Sequence, residues 1–121
     1  MIRPIIYTKI PSSDPGLVAA AAEAGVADLH EAMGPVSGQA QLMGPRMRPL
    51  DPRRRIAGPA VTALNFPGDN LMMHKALDLA AAGQILVVTS GGGFLGAVWG
   101  KLSAVYAQRK GVAGVVTDGA I

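Results

Sequence analysis

Apolar residues in the second half of the chain fall in short continuous runs rather than in a strictly alternating pattern. Ile85–Val88 and Val112–Val116 are two such runs, and runs of this kind are typical of strands that are covered on both faces. A third segment, Ile56–Leu64, contains β-branched residues and carries Pro59 where a bulge or a sheet edge would accommodate it. These patterns favour an α/β protein.

Start and stop signals predict two helices in the first half of the chain. After an extended segment at Ile2–Tyr7, Pro11–Pro15 offers helix caps and a proline suited to a first turn. A helix is therefore expected over Leu17–Ala24, with its end at Gly25. Val26–Met33 is predicted as a second short helix. The residues that break the pattern after it, and predict a loop, are Gly34, Pro35 and Gly38.

A turn and a longer helix follow the first predicted strand. Pro67–Asn70 has turn-forming residues, and either Asp69 or Asn70 is suited to cap a helix over Leu71–Ala82. Gly83 is the expected left-handed stop of that helix.

The last part of the chain has the order strand, loop, helix, strand. The strand Ile85–Val88 leads into a loop at Ser90–Gly93, then into a helix over about Ala97–Lys110 and a strand over Val112–Thr117. A right-handed crossover of this kind makes the two strands parallel and puts the glycine loop at the carboxyl end of the first. Open α/β sheets bind their ligands at that end, so a functional site is expected there.

Length and composition limit the class of protein. With 121 residues, half of them hydrophobic, the chain fits a single α/β domain over residues 1–121. No apolar run approaches the roughly 18–20 residues that span a bilayer, and no export signal is recognisable at the start, so we expect a soluble cytoplasmic protein that contacts no membrane. The sequence has no cysteine, which excludes disulfides and thiolate chemistry and leaves oxygen or nitrogen ligands for any metal.

The formal charge of +3 raises the alternative of nucleic-acid binding. The basic residues, however, cluster in Arg46–Arg55 among prolines and without interleaved aromatic residues. We favour a solvated connection whose arginines pair with a neighbouring subunit or with an anionic substrate.

Two features could bind an anion at the predicted edge. The amides of Gly91–Gly93 can approach an anion closely, although the same glycines also suit a flexible turn. If the next helix begins near Gly100, the amides of its first turn are available to a small carboxylate. The alternative is one helix over Phe94–Tyr106 that turns these residues toward the core: Leu95, Val98, Leu102 and Val105.

Four segments together resemble a known family. They are Val26–Gly34, Pro67–Asn70, Gly100–Ser103 and Gly111–Ala120. In order and spacing they resemble the class II pyruvate aldolases that act on 4-hydroxy-4-methyl-2-oxoglutarate or 4-carboxy-4-hydroxy-2-oxoadipate. The same superfamily contains the regulator of ribonuclease E activity.

The resemblance implies an α/β sandwich of swivelling-domain type, assembled as a homotrimer or homohexamer, with the active site between adjacent subunits. It also implies that Asp-Gly-Ala and a hydrophobic residue are followed by Arg-Asp, where the arginine holds the oxo acid and the aspartate holds Mg²⁺ or Mn²⁺. The sequence ends at Asp118–Ile121, so the family's metal ligand is expected beyond Ile121 and the chain is expected to be C-terminally truncated. Asp118 either substitutes as a ligand or organises the turn before Gly119.

The sequence departs from the family at Lys101, where the aldolases have a carboxylate that positions a proton-shuttling water. Lysine cannot accept a hydrogen bond as a carboxylate does. Three interpretations remain open: an exposed lysine without a catalytic part, a positive charge near the oxo acid or its enolate, and a Schiff-base lysine. The predicted substrate-binding residues are Gly100, Lys101, Leu102, Ser103 and Asn70.

Other polar and apolar residues carry simpler expectations. Asn70 either faces the substrate or caps a helix. His30, Glu31 and His74 lack a strong ligand spacing and are expected to make caps or interface hydrogen bonds. The residues expected to pack in the core are Met72, Met73 and Trp99.

Two functions follow from the resemblance. The first is a divalent-metal-dependent aldol lyase that cleaves a 4-hydroxy-2-oxo acid to pyruvate and another oxo acid, with decarboxylation of oxaloacetate as a second reaction. The alternative is a catalytically silent, ribonuclease-regulator-like scaffold that binds protein, for which Lys101 is the main argument.

Overall fold

The computed structural model describes residues 3–92 and 95–121, and the chain divides into two compact units. The helical unit, Ser13–Ala57, contains α1 (Pro15–Glu23), α2 (Val26–Ala32) and α3 (Pro35–Gln41). The sheet unit is formed by Gly58–Ile121 and the residues up to Ser12. Its elements, in chain order, are β1 (Ala60–Leu64), α4 (Leu71–Leu79), β2 (Ile85–Thr89), α5 (Lys101–Lys110) and β3 (Gly114–Thr117).

The helical unit confirms the predicted cap and corrects the predicted loop. The side chain of Asp14 accepts hydrogen bonds from Gly16 N at 2.7 Å and Leu17 N at 3.2 Å, so it caps α1. The loop predicted from Gly34, Pro35 and Gly38 is wrong, because α3 begins at Pro35. Proline at the first helical position loses no internal hydrogen bond, and Gly34 precedes it with a φ of +78°.

Gly38 lies inside α3 because the helix packs closely on His30. A Cβ atom at Gly38 would lie 2.6 Å from the His30 carbonyl oxygen and 2.9 Å from its ring. A glycine that looked like a helix breaker therefore allows α2 and α3 to approach.

The three strands form one parallel sheet in the order β1-β2-β3. Val61 pairs with Leu86, and Leu86 pairs with Val115. One face of the sheet packs on helix residues, and this core consists of Val61, Ala63, Leu86, Val88, Met73, Ala76, Leu77, Ala80 and Ala107. The predicted parallel β-loop-α-β unit and the α/β class are confirmed. Met72 and Trp99 pack against the core as expected, and Met73 is part of it.

Several elements are shorter than the sequence predicted. β1 begins at Ala60 rather than at Ile56, and α4 ends at Leu79 rather than at Ala82, since Ala80 has an extended backbone. Gly83 has the predicted left-handed conformation, with a φ of +79°, but it lies in the turn after the helix. β3 begins at Gly114 rather than at Val112.

The start of α5 settles the choice between the two predicted helices. A helix over Phe94–Tyr106 is wrong, and so is the predicted start near Ala97, because α5 begins at Lys101. Ahead of it, Ala97 forms a parallel bridge with Ala120, and Val98 N donates to Ala120 O at 2.9 Å. These backbone groups are used between segments and cannot also form a helical turn.

The end of α5 contacts the end of α4. Nζ of Lys110 donates to the carbonyl oxygens of Leu77 at 2.9 Å and Asp78 at 2.6 Å. The last carbonyls of a helix have no internal partner, so the lysine satisfies two of them. Among the helices formed by residues 3–92 and 95–121, none is both long enough and apolar enough to cross a membrane.

Candidate functional site

The carboxyl ends of β2 and β3 are joined by the side chain of Asp118. Its Oδ2 accepts a hydrogen bond from the Thr89 hydroxyl at 2.6 Å, and its Oδ1 accepts one from Ser90 N at 2.8 Å. The Thr89 hydroxyl, followed by the Ser90 amide, holds the pKa of Asp118 below its ordinary value. Asp118 is therefore an ionised carboxylate that joins two strands, which goes beyond the local turn predicted for it.

The glycine loop after β2 is directed toward this carboxylate. Gly91 and Gly92 have φ values of +66° and +74°, and Gly91 N donates to the Thr89 hydroxyl oxygen at 3.2 Å. The Gly92 amide also lowers the pKa of Asp118. These two amides therefore interact with Asp118 or with the hydroxyl that donates to it. Gly93 and Phe94 lie outside the described residues.

Two buried polar residues at the same edge were missed by sequence reasoning. Asn65 directly follows β1 and Ser90 directly follows β2; they are 3% and 1% exposed. Asn65 Oδ1 accepts from Met73 N at 2.9 Å, which fixes the start of α4 against the strand. Asn65 Nδ2 and Ser90 Oγ have no hydrogen-bond partner in the described part of the chain. The usable signal was a polar residue immediately after each strand.

The first turn of α5 is open to an anion. Gly100 occupies the N-cap position with an extended backbone and makes no side-chain cap, and the first helical hydrogen bond runs from Ala104 N to Gly100 O. Over the described ranges, the amides of the three intervening residues have no hydrogen-bond acceptor. Together with the helix dipole, these amides form a partial positive charge suited to a carboxylate.

The side chains of this turn differ in exposure. Lys101 is exposed and Leu102 is 88% exposed, whereas Ser103 is buried. The rejected longer helix required Leu102 to face the core, but the exposed side chain points into solvent instead. The predicted site residues Gly100–Ser103 are together in one turn, with the ammonium group of Lys101 available to solvent.

The turn before α4 also lies near the approach to α5. A Cβ atom at Gly68 would be 3.5 Å from Cβ of Leu95, so the Pro67–Asn70 turn contacts the segment that leads to Lys101. Asp69, rather than Asn70, caps α4, since its carboxylate accepts from Leu71 N at 2.8 Å. The side chain of Asn70 makes no cap hydrogen bond and is exposed.

The described residues do not fit a divalent-metal site by themselves. No group of three or more His, Cys, Asp or Glu side chains in residues 3–92 and 95–121 is arranged to hold a metal ion. Both carboxylate oxygens of Asp118 already accept hydrogen bonds. Of the two roles that the sequence left open for Asp118, these contacts favour organising the backbone over ligating a metal.

The basic segment lies in the helical unit and is partly neutralised there. Arg53 Nε and Arg54 Nε lie 2.9 Å and 3.8 Å from the carboxylate oxygens of Asp51, and Arg55 donates to the Ala24 carbonyl. The hydrogen bond from Arg53 lowers the pKa of Asp51. Arg53 and Arg54 are thus paired within the segment itself, where their side chains are exposed.

Comparison with known proteins gives one family and several relatives. The profile of a family described as "RraA-like: Aldolase/RraA" matches residues 26–121. A Burkholderia mallei (strain SAVP1) protein named "Putative 4-hydroxy-4-methyl-2-oxoglutarate aldolase" is 36% identical over 85 residues, which are 70% of this chain and 51% of the relative. A protein of the same name from Burkholderia pseudomallei (strain K96243) matches equally. The chain spans about half the length of these curated relatives.

A solved structure shares the fold. It is the crystal structure of an uncharacterized protein from Pseudomonas syringae pv. tomato str. DC3000, with a TM-score of 0.71 and 21% sequence identity. The match covers 97% of this chain and 53% of that chain. At this identity the likeness supports a common architecture and no particular activity.

Proposed function

Since the chain belongs to the RraA-like family of aldolases and RraA proteins, we propose that the protein carrying it is an aldol lyase. Its substrate is a 4-hydroxy-2-oxo acid, and its products are pyruvate and another oxo acid. The names of the Burkholderia relatives support an aldolase. Oxaloacetate decarboxylation belongs to the same proposal, because both reactions release pyruvate through its enolate.

The observation that carries the proposal is the open first turn of α5. The substrate carboxylate accepts hydrogen bonds from the amides of Lys101, Leu102 and Ser103. Each hydrogen bond to a charged group contributes about 1.5–3 kcal/mol. The helix thereby orients the oxo acid, and its positive end favours the negative charge that develops on the enolate.

Dependence on Mg²⁺ or Mn²⁺ is also proposed, for the whole protein. A divalent cation would supply Lewis-acid stabilisation of the enolate. The described residues do not assemble a site for it. Pyruvate release should stop on chelation and return when Mg²⁺ or Mn²⁺ is added back.

A matched pair of variants tests the amide contact. Lys101→Pro and Lys101→Ala both remove the amine, but only proline removes the first-turn N–H. Gly100 has an extended backbone, which suits a residue before proline, and proline is tolerated at the first helical position. We expect kcat/KM for the aldol substrate to be about tenfold lower for Lys101→Pro than for Lys101→Ala, as the loss of one charge-assisted hydrogen bond requires.

The same series tests the side chain of Lys101. Lower activity in Lys101→Ala than in wild type supports a positive charge that acts on the oxo acid, and equal activity supports an exposed lysine without a catalytic part. Lys101→Asp should raise cleavage by restoring the acid found in the aldolases. Borohydride with pyruvate should leave no adduct on Lys101. The proposal is overturned if folded wild type and folded Lys101→Asp, each supplied with Mg²⁺ or Mn²⁺, release no pyruvate from either the aldol substrate or oxaloacetate.

The second candidate is a catalytically silent, RraA-like scaffold that binds protein. Lys101 is the observation that favours it, because a lysine stands where the aldolases carry a proton-relay acid. The absence of pyruvate release would favour this candidate. For either function we propose a homotrimer or homohexamer, and for the lyase a small oxo-acid substrate.

A further inference from the structure

The Asp118 carboxylate is the centre of a short hydrogen-bonded chain. Gly91 N donates to the Thr89 hydroxyl oxygen at 3.2 Å, and that hydroxyl donates to Asp118 at 2.6 Å. Ser90 N donates to the other carboxylate oxygen at 2.8 Å. Hydrogen bonds to a charged acceptor are stronger than neutral ones, so Asp118 holds the end of β3 at a fixed position relative to the end of β2.

The two residues after Asp118 contact the segment that leads into α5. Gly119 has no Cβ, and one placed there would lie 2.9 Å and 3.0 Å from the two Cγ atoms of Val98. Val98 is 3% exposed, and its N–H donates to Ala120 O at 2.9 Å. Gly100, the N-cap of α5, is only two residues further along the chain.

We propose that Asp118 is a positioning residue for the carboxylate-binding turn at the start of α5. It acts through Gly119, Ala120 and Val98, and it does not touch the substrate. The inference rests on the proposed function and deepens it, because it names the group that sets the location of the first-turn amides. A displacement of these amides weakens their hydrogen bonds to the substrate carboxylate, because hydrogen bonds depend steeply on distance and angle.

Removal of the Thr89 hydroxyl tests this connection with little change of shape. In Thr89→Val the Asp118 carboxylate loses its 2.6 Å donor, whereas Thr89→Ser keeps a hydroxyl. We expect the KM for the aldol substrate to rise about tenfold in Thr89→Val and in Asp118→Asn, with kcat changed less than about threefold, as misplaced binding groups imply. Thr89→Ser should return the KM to within about twofold of wild type.

Thr8→Val is the matched control. Thr8 is an exposed threonine of the sheet unit, and its side chain makes no hydrogen bond within the described residues. This variant repeats the chemical change away from Asp118. Its KM should equal that of wild type.

Trp99 gives a readout that does not depend on turnover. It is the single tryptophan of the sequence, it packs on the core, and it directly precedes Gly100. Its emission in the ligand-free protein should shift in Thr89→Val and Asp118→Asn but not in Thr89→Ser or Thr8→Val. An unchanged KM and unchanged emission in folded Thr89→Val and Asp118→Asn overturn the proposal. If wild type releases no pyruvate, the proposed lyase fails, while the emission comparison still decides whether Asp118 positions α5.

Discussion

At the residue scale, Gly119 holds a position where a side chain would collide with Val98. A Cβ at this position would lie 2.9 Å from one Val98 methyl carbon and 3.4 Å from Ser90 Oγ. Both neighbours are buried, so the strain cannot be relieved by moving into solvent. Gly119→Ala should lower the free energy of unfolding by about 1–3 kcal/mol, as overpacking does. Urea unfolding measures this, and Gly44→Ala is the control because a Cβ there meets nothing within 4 Å.

The lowered pKa of Asp118 predicts a dependence of stability on pH. The hydroxyl of Thr89 and the amide of Ser90 favour the charged form. A carboxyl whose pKa is lower in the folded protein stabilises the fold above its unfolded pKa, and this contribution is lost as the pH falls through the folded pKa. Between about pH 6 and about pH 3, the free energy of unfolding should therefore fall more in wild type than in Asp118→Asn. Parallel pH profiles for the two proteins would contradict this.

At the element scale, α5 begins with a charge of the unfavourable sign. Lys101 is its first residue, no acidic residue lies in its first turn, and Arg109 and Lys110 lie in its last turn. The positive end of the helix dipole repels a cation and attracts an anion. Unfolding free energies should rise in the order wild type, Lys101→Gln, Lys101→Asp, with about 0.3–1 kcal/mol between the ends of the series at low salt. The differences should shrink at high salt, and any other order would argue against this account.

Local signals predicted which elements form in the sheet unit better than where they end. The apolar run of β2 marks that strand to within one residue, whereas α4 and β3 are shorter than their patterns indicated. In the helical unit, α2 begins at Val26 as predicted. Pro35 was misinterpreted, since a proline that breaks one helix also suits the first position of the next. Asp118 was only partly predicted. Its hydrogen bonds reach Thr89 and Ser90, 29 and 28 residues away, and no local pattern specifies such contacts.

At the scale of the whole molecule, the sheet unit leaves much apolar surface exposed. A groove of about 890 Å³ lies between the segment Arg3–Pro11 and the elements β1 and α4. Leu64 and Phe66 line it and are both 68% exposed, and Leu71 is 52% exposed. Contiguous apolar surface of this kind is typical of a surface that another protein chain covers.

Self-association would bury such surface and would bring copies of the α5 turn into one assembly. We therefore predict a trimer or hexamer, which light scattering across a dilution series measures directly. The same series at low and high salt separates two origins of association. Apolar contacts persist at high salt, whereas pairs made by the arginines of Arg46–Arg55 are screened and weaken. We expect the assembly to persist in both conditions. A monomer at every concentration would contradict this prediction, and dissociation at high salt alone would point to the arginines.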